Sequence, residues 1–444
     1  MNFVNKNYQD IKKGGFQSFI RKLRSVLTLL LCFINPFYYL ALIFFLFCSL
    51  IKPFLIVRWG ILPSERIGHF SVNTEIYCCK IDSKINVPEK NFIDLFCFGK
   101  EICNYQLAKM WKRKLNILPR FILFPVININ KLVMKVFNSA NHFIHLNEDI
   151  YSINEIEKLK KISTHRDLFN LMPFSKPHLS FTQEEIQDGD NYLKYIGIDK
   201  NSKIVCLIVR DSAYQEKYLN SKDLNLNHNN FRNQDISNYL LASEELTKRG
   251  YWVFRMGKAV NKKIENANPK IIDYANSKFR SDFLDIFLGY RCSFCIRTAG
   301  FGGVPEIFRK PLVVNEGPIV DLCGDENKNL YLLQYYFSKE KNRYLTLSEI
   351  FELGVSDIRT SQEYENLKIK VIKNSPEEIK DVVIEMVDRI EGAWSEKPEI
   401  EKLQKSFFKI FEKNLISHKK RQLFGGIKLR QSSSFLNKNR WWLE

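Results

Sequence analysis

From Ser25 to Ile51 the chain runs 27 residues without a charge, interrupted only by the turn-forming pair Asn35-Pro36. A stretch of that length suffices to cross a bilayer as a helix. It is too long for a cleavable leader, and no small-x-small site follows it. Beyond Pro53 the pattern changes to short apolar runs alternating with segments of helical period. Phe54–Trp59, Phe92–Phe98, Lys203–Val209, Tyr251–Met256, Ile271–Tyr274, Cys292–Arg297 and Leu312–Val314 read as buried strands. Gly68–Lys80, Asn104–Leu115, a segment capped by Asp235 and ending at Arg249, Ser281–Leu288, Val304–Arg309, Pro376–Ile390 and Pro398–His418 read as helices. Residues 120–185 are less regular, with Pro125, Pro173 and Pro177 as punctuation. Strand–helix alternation predicts an α/β chain with a parallel sheet covered by helices. The polar stretch Gln187–Asn201 is the expected linker between two such halves, which would enclose a cleft at the carboxyl ends of their strands.

Composition adds a constraint on partners. The formal net charge is +18, which suits anions such as nucleic acid, acidic lipid or phosphorylated substrates. No zinc-finger spacing, RNA-binding signature or continuous basic helix is present, so nucleic acid is not expected. Cations flank the apolar segment on both sides: Lys12, Lys13, Arg21, Lys22 and Arg24 before it, Lys52, Arg58 and Arg66 after it. A single span would keep the N-terminus inside and export the rest of the chain. Most of the ten cysteines lie in apolar runs, as buried free thiols of a reducing compartment do. The expectation is therefore a monotopic or re-entrant segment on the cytoplasmic side of the membrane, with a single span as the alternative. Cys292-x-x-Cys295 has metal-pair spacing but no second pair, and reads as core.

Several residues are placed to carry chemistry. Arg210 and Asp211 follow one predicted strand, Arg255 with Gly257 ends the next, and Arg297 with Thr298 ends a third. Guanidinium groups gathered at one sheet edge fit an anion, above all a phosphate; pairing with Asp211, Asp273 or Asp285 is the structural alternative. Arg232, at the end of a polar loop, could clamp the same ligand. The turn holding Gly300, Gly302 and Gly303 opens onto a helix start, where bare amides favour a diphosphate. Glu306 in that helix could accept hydrogen bonds from sugar or ribose hydroxyls, or simply stabilise the helix dipole. In the first half, Arg66, Gly68 and His69 lead into the first helix, with Asn73 and Glu75 a turn further on. His69 is the candidate general base. Asp188-Gly189-Asp190 lies in the polar linker and reads as a solvated turn, so no metal site is expected.

Taken in order, IGHFSVNTEIY at 67–77, LAKMWKR at 107–113, VCLIVRDSAY at 205–214, FRNQDISNY at 231–239, GYWVFRMGK at 250–258, IIDYANSKFRSDFLDIFL at 271–288, PLVVNEGP at 311–318 and the tail SSSFLNKNRWWL resemble a family of bacterial glycosyltransferases of surface-polysaccharide and lipid-glycan genes. The resemblance implies two Rossmann-like domains facing a cleft. Residues 53–186 would form the acceptor side and 200–390 the nucleotide-sugar side, after a basic tail (1–24) and the hydrophobic segment (25–51), and before a helical tail (391–444). It implies transfer of a sugar from a nucleotide-diphosphate donor to a glycan or lipid-linked glycan; the arginines and the linker position of Asp188-Gly189-Asp190 add the expectation of no metal or other cofactor, and the flanking charges that of the inner face of the membrane. His69 would deprotonate the acceptor, while Arg210, Arg232, Arg255 and the glycine amides hold the diphosphate. Thr298-Ala299-Gly300 lacks the doubled glycine of related nucleotide-sugar epimerases. An epimerase or hydrolase on the same scaffold, or a non-catalytic glycan- or nucleotide-binding membrane protein, are the alternatives.

Overall fold

The computed structural model describes residue 20 and residues 36–85, 87–137, 143–144, 167, 170–218, 230–298, 302–315, 325, 327–358, 360–417 and 429–444. From the N-terminus, α1 (Pro36–Ile51) leads to β1 (Ile56–Leu62), α2 (Ile67–Asp82), β2 (Phe92–Phe98), α3 (Tyr105–Lys114), α4 (Arg120–Phe137) and β3 (Phe143–Ile144). There follow α5 (Gln183–Tyr195), β4 (Lys203–Ile208), α6 (Ala213–Tyr218), α7 (Leu240–Lys248), β5 (Tyr251–Arg255), β6 (Ile271–Ile272), α8 (Asp282–Arg291), β7 (Phe294–Arg297), α9 (Gly303–Ile307) and β8 (Leu312–Val314). β9 (Leu330–Tyr331), β10 (Tyr335–Ser338), β11 (Arg343–Tyr344), α10 (Leu347–Glu352), α11 (Ser361–Asn366), β12 (Ile369–Ile372), α12 (Pro376–Ile390), α13 (Pro398–Ser417) and α14 (Ser433–Lys438) close the chain. Two compact units result. One holds Met1–Leu62, Pro88–Gly99 and Leu115–His145; the other holds Pro63–Val87, Lys100–Lys114 and Leu146–Glu444.

The first unit is built on a parallel sheet in the order β2-β1-β3. β1 and β2 align from Ile56 opposite Phe92 to Leu62 opposite Phe98. Apolar side chains of α1 and α4 (Ala41, Phe45, Cys48, Leu123, Ile127) pack on Val57, Trp59 and Cys97 of the strands. The Phe45 and Trp59 rings lie 5.9 Å apart. Pro125 sits inside α4, where a break was expected; it removes one backbone donor and leaves the helix otherwise continuous. Residues 25–35 of the hydrophobic segment lie outside the described residues. Only its second half is described, as the 16-residue α1. Among the described residues no helix is long and apolar enough to cross a membrane, so the single-span alternative has no support there.

The second unit carries a six-stranded, all-parallel sheet in the order β6-β5-β4-β7-β8-β9. Counted along the chain within this sheet, the strands lie third, second, first, fourth, fifth, sixth. That is the doubly wound dinucleotide-binding order, with its topological switch between β4 and β7. β4 is buried from Ile204 to Ile208, as a central parallel strand must be. Cys206 of β4 faces Cys295 of β7 in register, and with Cys292 they are buried free thiols. The hydrogen bond with Cys292, and next burial, push the Cys206 thiol well up, and burial, then Cys292, does the same to Cys295. The core reading of Cys292-x-x-Cys295 is the one the structure displays.

The expected linker is largely helix. Thr182 and Glu185 form a capping box at the start of α5, which runs through Asp188-Gly189-Asp190. Gly189 lies directly under Phe287, whose ring atoms would sit 2.2–2.4 Å from any added Cβ. Polarity had suggested a solvated turn, but the capping chemistry and this glycine contact make the segment a packed helix. β11-β10-β12 form a small antiparallel sheet. The chain's last segment joins the same unit: Gln431 bridges to Tyr331, Ser433 bonds Glu385 through N and Oγ at 2.8 Å each, and Trp442 stacks on Phe407 at 6.1 Å.

Candidate functional site

At the switch point, β4 exits into Arg210-Asp211 and β7 into Arg297-Thr298. The backbone N–H of Arg210 donates to Thr298 Oγ1 at 2.8 Å, and Thr298 N donates to Ile208 O at 2.9 Å. Thr298 is fully buried. Arg210 O in turn accepts from Gln234 N at 3.0 Å, drawing the segment before α7 to the same place. The Arg210 guanidinium reaches Gln215 Oε1 at 3.0 Å.

Beside Arg210 stands Lys373, which no sequence motif had singled out. Its ammonium donates to Phe231 O and lies 3.4 Å from Gln334 Oε1. Burial, and next the charge of Arg210, push it down to about 8. Among the described residues no carboxylate pairs with it. Phe231 precedes Arg232, whose guanidinium lies 5.7 Å from the Phe231 ring centroid and whose charge acts on Tyr336 and Tyr364. Phe231 O thus ties the segment carrying Arg232 to Lys373, which lies beside Arg210. The signal for Lys373 was available but faint: a lone lysine between strand β12 and the Ser375 cap of α12, with nothing in its spacing to link it to β4.

The other predicted arginines are directed elsewhere. Arg255 is buried and bonds Asp273 Oδ1 at 3.0 Å, with Asp211 Oδ2 at 3.8 Å. Asp211 itself ties two loops, accepting from Ala213 N at 3.1 Å and Asn261 N at 2.8 Å. Gly257 lies in the turn just after β5, and a Cβ there would come 2.8 Å from Val260 Cγ1. Arg297 pairs with Glu306 at 3.5 Å. The expected gathering of Arg210, Arg255 and Arg297 around one anion therefore resolves into two ion pairs and one arginine beside a lysine.

The glycine turn is likewise occupied. Gly302 and Gly303 are buried; a Cβ on Gly302 would meet Arg297 Cδ at 2.3 Å, and one on Gly303 would meet Val72 Cγ2 at 2.6 Å and Ser71 Oγ at 2.9 Å. What demands glycine at 303 is the close approach of α9 to the first turns of α2; at 302 it is the Arg297 side chain. Gly300 lies outside the described residues.

This contact places Gly68, of the predicted acceptor-side residues, beside Gly303. Gly68 O is 3.5 Å from the Gly303 Cβ position, and Tyr214 Oη on α6 is 3.5 Å from Glu65 O. The start of α2 is thus flanked by the elements that follow β4 and β7. Arg66 is exposed. His69 is half-buried; burial, then the Arg66 charge, push its imidazole down to about 4, against a hydrogen bond with the buried Asn73. Its imidazole is therefore neutral at neutral pH.

Glu75 points away from that turn into a buried network. Its Oε1 accepts from Arg309 Nη2 at 2.6 Å and lies 2.9 Å from His178 Nδ1, whose Nε2 is 2.8 Å from Asp82. Arg309 also donates through Nε to Ser175 O at 3.0 Å, fastening the end of α9 to the segment before α5. Glu75, Cys79 and His178 bring a carboxylate, a thiol and an imidazole within 4.8 Å of one another, a donor set that suits a divalent metal. Arg309 Nη2, 3.6 Å from Cys79 Sγ, takes the cation's position.

No family model and no curated protein matches the chain. Among solved structures it is similar to the glycosyl transferase family 9 protein from Veillonella parvula DSM 2008, at 10% identity and a TM-score of 0.37 over 70% of this chain and 95% of that one. It is also similar to the iron-containing dodecameric glycosyltransferase TibC from enterotoxigenic E. coli H10407, at 12% identity and a TM-score of 0.30 over 62% of this chain and 60% of that one. At these values the likeness decides neither the fold nor the activity of this chain.

Proposed function

We propose that this protein transfers a sugar from a nucleoside-diphosphate donor to a hydroxyl of a glycan or lipid-linked glycan. The observation that carries the reading is the cation cluster at the switch point: Arg210, anchored by Thr298, beside a half-buried Lys373 with no carboxylate partner among the described residues. Ligands of doubly wound sheets bind at that crevice. Two cations held together at a dehydrated edge favour a diphosphate, whose two charges relieve their mutual repulsion.

In this mechanism Arg210, Lys373 and Arg232 hold the donor's diphosphate and stabilise the charge that develops on it as the glycosidic bond breaks. Arg255, held by Asp273 and near Asp211, positions the loops after β4 and β5. Arg297 covers the glycine turn and pairs with Glu306. His69, neutral and held by Asn73, accepts the proton of the attacking hydroxyl. Protein cations take the role a divalent metal plays in other diphosphate sites, so turnover is expected to persist in chelator.

The test is thermal stabilisation of the full-length protein in detergent by UDP, GDP, CDP and ADP, beside the matching nucleosides. One or more diphosphates should stabilise it and the nucleosides should not. No stabilisation by any diphosphate would sink the reading. With the effective base known, product analysis distinguishes transfer from epimerisation or hydrolysis of the sugar nucleotide.

A further inference from the structure

We infer that the first unit docks on an anionic lipid surface through an apolar face formed by α1 and α4, lying in the plane of the membrane interface. This inference stands apart from the transferase reading and does not depend on it.

α1 is apolar all round. Ala41, Phe45 and Cys48 form the stripe that packs on the sheet and are buried. On the other side Leu40, Ile43, Phe47 and Leu50 follow one another at helical spacing, 63%, 64%, 56% and 77% exposed. A helix that is hydrophobic on both faces needs a second apolar medium as well as its own core. α4 extends the same surface: Phe121 and Ile122 are exposed, and the Phe121 ring meets Phe37 of α1 edge-on at 6.1 Å. So large an uncovered apolar area marks an interaction site.

Lipid fits this face better than protein. α1 contains no charged residue, and its Ser49 hydroxyl already donates to Phe45 O at 2.8 Å. A protein interface would ask for about one hydrogen bond per 100–200 Å²; Leu40, Ile43, Phe47 and Leu50 supply none, and the exposed Tyr39 carries the hydroxyl beside them. Cations stand at the margins: Lys52 directly follows α1, and Arg120 directly precedes Phe121. Apolar residues inserted among acyl chains with lysine and arginine at headgroup level is the arrangement of an interfacial helix. Sixteen residues make a helix of about 24 Å, short of the roughly 30 Å hydrocarbon core.

The experiment is co-flotation of the full-length protein with phosphatidylcholine vesicles, with and without phosphatidylglycerol. Wild type should float with both and more strongly with phosphatidylglycerol. The double variant Ile43→Asp/Phe47→Asp should lose at least tenfold in partition to both, with circular dichroism and melting temperature unchanged because both side chains are exposed. Lys52→Glu should weaken binding to anionic vesicles alone. If the double variant floats like wild type, the basic N-terminal sequence accounts for binding and the inference fails. It fails equally if wild type ignores vesicles, or forms a dimer in solution that the double variant abolishes, since a second copy would then cover the face.

Discussion

The amide of Arg210 and the hydroxyl of Thr298 meet at 2.8 Å, joining the ends of two strands whose connections leave in opposite directions. Thr298 has no exposure and Arg210 is only half-buried, so the bond fixes the backbone from which the arginine side chain projects. Its loss should act on ligand geometry as well as on stability. Thr298→Val keeps the shape and removes the acceptor; it should cost about 1–3 kcal/mol in denaturant unfolding, since a buried N–H is left unpaired. The affinity for the stabilising nucleoside diphosphate should fall alongside, while Thr298→Ser should retain both. An unchanged affinity in the valine variant would separate this bond from the site.

Lys373 offers the sharper test of the anion site, because it adds charge without holding the sheet. Lys373→Met should weaken diphosphate binding by about tenfold or more, the usual weight of one charge-assisted hydrogen bond. Lys373→Arg should restore part of it. The ammonium is held down to about 8 by burial and by Arg210, whereas the two arginines stay charged. Affinity measured by calorimetry should therefore decline as pH rises through about 8 in wild type and stay flat over that range in the methionine variant.

The sheet was legible in the sequence because its strands are apolar runs bounded by glycine, proline or charge: Phe92–Phe98, Leu312–Val314 and the α12 helix Pro376–Ile390 fall where the pattern puts them. Asp235 does cap the turn leading into α7, through Ser237 N. Strand order is another matter, since pairing β4 with both β5 and β7 depends on packing that no local pattern encodes. The site was half legible for the same reason. Position at a strand end singled out Arg210 and Thr298, but it treated Arg255 and Arg297 as their equals, although Asp273 and Glu306 claim them. Lys373 comes more than 160 residues after Arg210 along the chain and is brought to it only by the fold.

Gly303 tests whether the glycine turn serves packing. Gly303→Ala would set a methyl 2.6 Å from Val72 Cγ2, and overpacking of this kind costs about 1–3 kcal/mol. Adding Val72→Ala should recover much of that loss, measured by denaturant midpoint. If the alanine variant is instead fully stable but binds no diphosphate, the amide itself is what the ligand uses.

His69 should separate binding from turnover. His69→Ala should leave diphosphate affinity unchanged and lower transfer by about 10²–10⁴-fold, the range of general-base contributions. Its imidazole is held down to about 4 by burial and then Arg66, so the acid limb of the rate profile should fall near that value rather than near 6.5. A variant with normal turnover would remove His69 from the mechanism.

The network around Glu75 should show in the pH dependence of stability. Burial alone would lower the imidazole of His178, but its hydrogen bonds with Cys79 and to the carboxylates of Glu75 and Asp82 raise it from 6.5 to about 10. A histidine raised on folding binds more protons in the native state than in the unfolded chain between those two values. Its contribution is therefore complete below about pH 6.5 and disappears as pH climbs through about 10. Urea midpoints of wild type should fall over that window relative to those of His178→Gln, and the two curves should converge at its alkaline end. Arg309→Met removes the permanent cation from the same carboxylate and should cost about 3–5 kcal/mol at neutral pH, the range for a buried ion pair that loses one partner. If added Zn²⁺ restores the stability of that variant, the metal has entered the place the guanidinium holds, between Glu75, Cys79 and His178. If zinc has no effect, the donor set serves the ion pair alone.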